Sequence, residues 1–322
     1  MSEDWRVYNG KGEVRPLKTR EAPPWRRFDD PPPPIPRKLE PAPMKIRYEI
    51  SPAEADLVNA ALHLRRPLLI TGKPGVGKST LIDAVAHELA LGQVLAWPIN
   101  TRSTLESGLY RYDAIGRLQE SNLRAGEEET AKSLGKYIRL GPLGTAFLPT
   151  DRPRALLIDE IDKSDIDLPN DLLTIFEEGK FEIPVLSRAA DRFPEVPVTA
   201  HDGGDPVIIK DGWVRAREFP FIVMTSNGER DFPPPFLRRC IRMDLAEPDE
   251  KKLAAIIEAH LGADAAREAA DLVHEFLKQQ SEGVLATDQL LNAVFLATNV
   301  RIDLGAKDAE TLKKKLFQSL RS

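Results

Sequence analysis

Short apolar runs bounded by polar or glycine-rich stretches fill the middle of the chain. Residues 67–71 (PLLIT), 155–159 (ALLID), 219–225 (FPFIVMT) and 241–245 (IRMDL) have the length of buried parallel strands, and 93–100 reads as another. Between them, apolar positions recur at helical spacing over about 51–64, 78–91 and 168–178. The first helix has a complete start signal: Ser51 as cap, Pro52 at the first helical position and Glu54 at the third. Strands alternating with helices predict an α/β fold with a parallel sheet covered on both faces. Beyond Glu247 the strand pattern stops. Helices are predicted at about 249–261, 264–280, 287–299 and 307–320, with Asp249 and Thr287 as caps, forming a small all-helical domain.

Composition changes this picture at one end only. Eleven of the 27 prolines lie in the first 52 residues, and 31–36 reads PPPPIP, which favours polyproline II over helix. The predicted division is a Pro-rich basic arm at 1–46, an α/β domain at 47–246 and a helical lid at 247–322. The arm reads either as a solvated linker or as a segment docked on a neighbour. Trp5, Tyr8, Trp25 and Phe28 favour docking, because disordered segments are usually poor in aromatics.

Charge and cysteine content exclude several classes. Lys and Arg total 45 against 50 Asp and Glu, so the net charge of −5 gives no overall basic coat for nucleic acid. Cys240 is the single cysteine, which excludes an intrachain disulfide and fits a reducing cytoplasm. No apolar run is long enough to span a membrane, and the first ten residues lack a secretory pattern. The five histidines show no paired metal-ligand spacing.

Residues 72–79 match G-x-x-x-x-G-K-[ST] in full, between an apolar strand and a helix. In such a P-loop, Gly72, Lys73, Pro74, Gly75, Val76 and Gly77 wrap the backbone around phosphates, the non-proline residues aiming N–H groups at them, and the helix entered through Ser79 and Thr80 adds its positive end. Lys78 is expected to reach the β- and γ-phosphates of ATP, and Ser79 to ligate Mg²⁺.

Asp159 and Glu160 end an apolar strand about 80 positions later. At the ligand-binding edge of a parallel sheet, Asp159 would hold the Mg²⁺ shell and Glu160 would polarise the attacking water. Asn227 closes the 219–225 strand and could orient that water or touch the γ-phosphate; it is also a common turn residue. Arg238 and Arg239 follow a proline run. They read either as a solvated face or as arginine fingers, which can be supplied by a neighbouring subunit.

Taken in order, the phosphate loop, acid-ended strand, Asn-ended strand, Arg pair and helical lid resemble the AAA+ ATPases, and within them the MoxR-like group. The resemblance covers roughly 47–300. It rests also on 156–163 (LLIDEIDK) with 171–179 (DLLTIFEEG), on Gly141-Pro142-Leu143, on Ser226-Asn227 and on 237–240 (LRRC). The match makes Arg239 the better finger candidate and Arg238 the second. Membership implies a P-loop NTPase core with a lid and Mg-dependent ATP hydrolysis in a ring, commonly a hexamer. It also implies chaperone-like remodelling of a protein client, often with a von Willebrand A-type partner. By the same resemblance about 101–140 hold the helix-2 insert, in which Tyr110 and Tyr112 could touch a client or simply pack. Relatives carry a β-hairpin that 207–210 and 212–215 could form. The sequence departs from the group at 286–292 (ATDQLLN), where a sensor-2 arginine is expected and none stands.

Rival classes fit less well. No N/T-K-x-D guanine motif follows a strand and no LSGGQ-like signature is present, which excludes ordinary GTPases and ABC-type ATPases. The acid pair, Asn-ended strand and helical lid do not suit a small-molecule kinase. The alternative inside AAA+ is a McrB-like motor serving a nucleic-acid-targeting or defence system. The basic arm could bind phosphates, but no basic-aromatic platform accompanies it.

Overall fold

The computed structural model describes residues 5–17, 21–43, 48–123, 130–280 and 285–298. The fourth predicted lid helix, 307–320, lies outside them. Helix α1 (Pro52–Leu64) begins with the expected capping box, Ser51 and Glu54 each accepting the other's backbone N–H. Strand β1 (Leu68–Thr71) leads through the glycine loop into α2 (Lys78–Glu88). That helix stops short of the predicted 91. Ala90 and Gly92, with φ of 52° and 79°, turn the chain back toward β2 (Leu95–Pro98).

The insert region folds as α3 (Leu105–Leu109), β3 (Tyr110–Tyr112), α4 (Ala114–Leu123), α5 (Ala131–Gly135) and β4 (Ile138–Leu140). Strands β3 and β4 pair antiparallel. Tyr110 is buried and Tyr112 packs against the same core, so both tyrosines serve packing. After α6 (Pro142–Ala146) come β5 (Ala155–Asp159) and α7 (Leu168–Glu178).

The long connection that follows holds β6 (Lys180–Glu182), α8 (Pro184–Ser187), β7 (Glu195–Val198), β8 (Val207–Lys210) and β9 (Trp213–Arg215). The predicted 207–215 hairpin is present, and it belongs to a four-stranded sheet of order β6-β9-β8-β7. Strand β10 (Phe221–Ser226), α9 (Pro234–Leu237) and β11 (Ile241–Asp244) complete the α/β part. The central sheet has the order β11-β1-β10-β5-β2, with every pairing parallel. Successive side chains face opposite sides, so Leu68 and Ile70 enter one buried core and Leu69 the other. Both faces are covered, as continuous apolar strands require.

The lid consists of α10 (Glu250–Leu261), α11 (Ala263–Glu268), α12 (Ala270–Gln280) and α13 (Thr287–Thr298), around its own core of Leu253, Ile257, Phe276 and Leu290. The single helix predicted over 264–280 is two, broken at Ala269, a small residue wholly buried in that core.

In its described parts the arm is not a free linker. It lies on its own α/β domain. Tyr8, Leu17, Leu39 and Ala42 are buried. Val7 and Tyr8 donate their backbone N–H to Asn59 Oδ1 at 2.7 and 2.9 Å. Asn9 and Gly12 donate theirs to the carboxylate of Glu88, which is wholly buried. Phe28 stacks on Gly179, where an added Cβ would meet its ring at 2.3 Å. Trp25 remains 74% exposed.

Candidate active site

The glycine loop connects β1 to α2, and its geometry explains its composition. Gly72, Gly75 and Gly77 take φ of 151°, 78° and 91°, which L side chains rarely adopt. Gly75 also has no room: a Cβ there would lie 2.4 Å from Ala286 Cβ of the lid. Pro74, Gly75, Val76, Gly77, Lys78, Ser79 and Thr80 line one side of a cavity of about 440 Å³. Gly72 and Lys73 stand outside its lining. Gly72 abuts the Leu245 carbonyl, and Lys73 pairs with Glu247 at 2.8 Å.

The sheet order brings the remaining groups to the same edge. Strand β10 lies between β1 and β5, so the residue after β10 falls between the phosphate loop and the acid pair. Lys78 Nζ donates to the Gly72 and Lys73 carbonyls at 2.7 and 2.9 Å, and to Asn227 Oδ1 at 2.7 Å. Asn227 Nδ2 in turn reaches Glu160 Oε1 at 3.4 Å. Ser79 Oγ donates to Asp159 Oδ1 at 2.9 Å. Burial holds the Lys78 ammonium below the ordinary lysine range, and Asp162, Asp159 and Glu160 act in the opposite direction.

Two residues without assigned roles in the sequence reading organise this edge. Thr225 Oγ1 donates to Asp159 Oδ1 at 2.6 Å and accepts from the Glu160 backbone N–H at 2.8 Å. One buried hydroxyl thus fixes both members of the acid pair. Asp162 Oδ2 accepts the backbone N–H groups of Asn227 and Glu229 at 2.9 and 3.1 Å, holding the turn after β10. Glu160 has φ of 59°, uncommon for a non-glycine residue and typical of functional turns. Its carboxylate also accepts from Lys163 Nζ at 2.8 Å.

The opposite wall comes from the segment before α1 and from the lid: Tyr48, Glu49, Lys252, Ile256, His260 and Thr287. Thr287 lies in the segment where the family places its sensor-2 residue; sequence reasoning passed over the others, because no local motif marks them and only the fold brings them near the glycine loop. Tyr48 is buried, and its ring lies 3.3 Å from where a Gly77 Cβ would be. Burial and then Glu54 push its phenol above the usual tyrosine range. Where a sensor-2 arginine is absent, Lys252 and His260 are the lid's basic side chains among the described lining residues, and Lys252 also pairs with Glu54 at 3.3 Å.

Arg238 and Arg239 do not line this cavity. Arg239 is ion-paired with Glu177 and donates to the Pro235 carbonyl at 3.2 Å, while Arg238 is exposed. The arm adds Arg26 to this face. Burial and then Arg66 hold Arg26 below the usual arginine range, with Arg239 adding to the effect.

Among the described residues no cluster of three or more His, Cys, Asp or Glu could hold a metal ion. The Ser79–Asp159 oxygen pair nevertheless fits Mg²⁺, which takes one or two protein ligands and completes its shell with water and phosphate oxygens. No described helix is long and apolar enough to cross a membrane.

The family profile described as "AAA domain (dynein-related subfamily)" matches residues 67–240, more than half of the chain. No curated protein matches it. Among solved structures the chain is similar to one titled "Closed State CryoEM Reconstruction of Hsp104:ATPyS and FITC casein", at 17% identity and a TM-score of 0.44. That match covers 77% of this chain and 44% of the other. The matched segment runs from β1 through the glycine loop, the acid pair and the Asn-ended strand to Cys240. The chain therefore belongs to the AAA domain family, dynein-related subfamily, and is an AAA+ ATPase.

Proposed function

We propose that this chain is a MoxR-like ring ATPase, commonly a hexamer in such families, in which Mg-dependent ATP hydrolysis drives remodelling of a protein client. The observation that carries this reading is the continuous polar chain Lys78–Asn227–Glu160 beside the Ser79–Asp159 pair, at one sheet edge under a helical lid. The helix-2 insert at 101–140 and the Gly141-Pro142-Leu143 turn after it support the MoxR-like placement. Gly141 packs so closely on Gly108 that a Cβ would lie 2.2 Å from its carbonyl oxygen.

In this reading the backbone N–H groups of residues 75–80 hold the triphosphate, residues 72–74 complete the loop, and Lys78 offers its ammonium to the β- and γ-phosphates. Ser79 and Asp159 hold Mg²⁺, which when bound neutralises charge on the phosphate oxygens. Glu160 takes a proton from the attacking water, and Asn227 orients it. Arg239 acts on the neighbouring subunit's site, consistent with its position outside its own cavity. A von Willebrand A-type protein is the partner class the resemblance suggests.

The nucleic-acid reading is weaker. Arg6, Arg15 and Arg37 of the arm are paired with this chain's own Asp56, Glu88 and Asp202.

The test compares ATP turnover of the parent and Glu160→Gln across Mg²⁺ and protein concentration, with native mass in parallel. The expected result is turnover that rises with assembly and is lost in Glu160→Gln while ATP stays bound. Equal, negligible turnover in both would leave a scaffold that uses ATP only to assemble.

A further inference from the structure

A second cavity, of about 680 Å³, lies beneath the arm. Its walls are α2, through Thr80 and Asp83, the outer part of β2 and β5, through Ala96 and Leu157, and arm residues 37–43. At one end stand two arginines sharing one carboxylate. Arg37 Nη2 donates to Asp202 Oδ1 at 2.6 Å, and Arg154 Nη2 to Asp202 Oδ2 at 2.9 Å. Arg154 is 1% exposed and directly precedes β5, the strand that ends in Asp159.

The arrangement leaves donors over. Two guanidinium groups share the one carboxylate; Arg37 Nη2 donates also to the Gly203 carbonyl at 2.6 Å and Arg154 Nη2 to the Gln93 carbonyl at 3.3 Å. Arg37 Nη1, Arg154 Nε and Arg154 Nη1 are buried with no hydrogen-bond partner among the described residues. Each Nη carries two hydrogens and the Nε one. Buried donors of this kind are rarely left unmade. The neighbouring wall is formed at Gly92, whose φ is 79° and whose missing Cβ would meet Leu39 Cδ2 at 3.2 Å and Arg154 Nε at 3.6 Å. The other charged groups around the cavity are Lys38, Glu40 and Asp83.

We infer that this cavity is a phosphate-binding site, with Arg37 and Arg154 as its donors and the arm as its cover. More N–H hydrogens are available than a carboxylate's lone pairs use well, and guanidinium forks match tetrahedral phosphate oxygens. The ligand is a phosphate group, either free or carried on a small molecule, and the volume admits both. The site is distinct from the P-loop, although Ser79 and Thr80 touch its far end.

The test is calorimetric titration of inorganic phosphate into the full chain, its nucleotide site saturated with a non-hydrolysable ATP analogue. Glycerol phosphate is titrated in parallel. The expected result is saturable binding of one phosphate per chain. It weakens roughly tenfold or more in Arg37→Gln, in line with the loss of charge-assisted hydrogen bonds. It strengthens in Asp202→Asn, which removes the competing carboxylate, and persists in Lys78→Ala. Tighter binding of glycerol phosphate assigns the site to a phosphorylated small molecule; tighter binding of inorganic phosphate assigns it to the free ion. No saturable binding in the parent at millimolar phosphate overturns the inference, leaving the donors to water. Binding that vanishes in Lys78→Ala and ignores Arg37→Gln overturns it as well, since the phosphate would then lie in the P-loop.

Discussion

Lys78 and Asn227, 149 positions apart, meet at 2.7 Å, the lysine ammonium donating to the amide oxygen whose own nitrogen faces Glu160. The phosphate loop and the acid pair are therefore joined through one side chain, and disturbing it should affect turnover more than nucleotide affinity. Asn227→Ala is expected to lower the ATP turnover number by roughly 100-fold, the usual scale for losing one preorganised polar group. Nucleotide affinity should change only a few-fold, because the loop's backbone donors remain. Steady-state hydrolysis together with fluorescent-nucleotide binding checks this. An equal loss in both would make Asn227 a binding residue.

Arg239 supplies the second prediction. It lies outside its own chain's cavity, paired with Glu177. Arg239→Ala is expected to cut turnover roughly 100-fold or more in an assembled ring, while each chain still binds ATP. Mixing Arg239→Ala with Glu160→Gln subunits should recover part of the activity, because some sites then combine an intact glutamate with a neighbour's arginine. Absence of recovery in mixed rings would place the arginine's action elsewhere.

Glu88 ties the arm to α2, the helix that follows the glycine loop. Its wholly buried carboxylate accepts from Asn9 N–H, from Gly12 N–H and from Arg15 Nη2 at 3.2 Å. Glu88→Gln keeps the shape and removes the charge, so it should cost about 1–3 kcal/mol. Thermal unfolding would show this as a Tm lowered by several degrees. Limited proteolysis should cut within 5–17 faster than in the parent.

Cys240 gives a pH-dependent prediction. Burial pushes its thiol up to about 12, and Arg66 and Arg242 only partly oppose this. A thiol protonated in the fold but ionised when unfolded adds stability that is constant below the ordinary thiol range near pH 8.5. That contribution declines as pH rises from there toward about 12. Cys240→Ser should therefore flatten the alkaline end of the stability curve. In the native parent, thiol reagents at mildly alkaline pH should react slowly, and rapidly once denaturant is added.

Much of this protein was legible in the sequence because its chemistry is local. The apolar run before residue 72, the spacing of glycines and the helix after it require no distant partner. The structure keeps the backbone φ values that those glycines imply. The Ser51 cap and the β8–β9 hairpin were likewise readable, since caps and turns are decided within a few residues. Periodicity misjudged the ends of α2 and the continuity of α11 and α12. It does not register a left-handed Ala90 or a wholly buried Ala269.

What the sequence alone determined was the family of the α/β core and a set of candidate residues for its nucleotide chemistry. What only the tertiary structure decided was adjacency. The order β11-β1-β10-β5-β2 inserts the last in sequence of three motif strands between the other two. That insertion makes Asn227 a bridge and Thr225 the clasp of the acid pair. It also took the fold to set Tyr48, Lys252 and His260 around the glycine loop, and to bury Arg37 and Arg154 on one aspartate. Parallel strands pair across connections of dozens of residues, and no local propensity encodes which neighbour a strand will find. The proline arm found its place on its own domain the same way, through Tyr8 on Asn59 and Asn9 on Glu88, contacts that composition could not foresee.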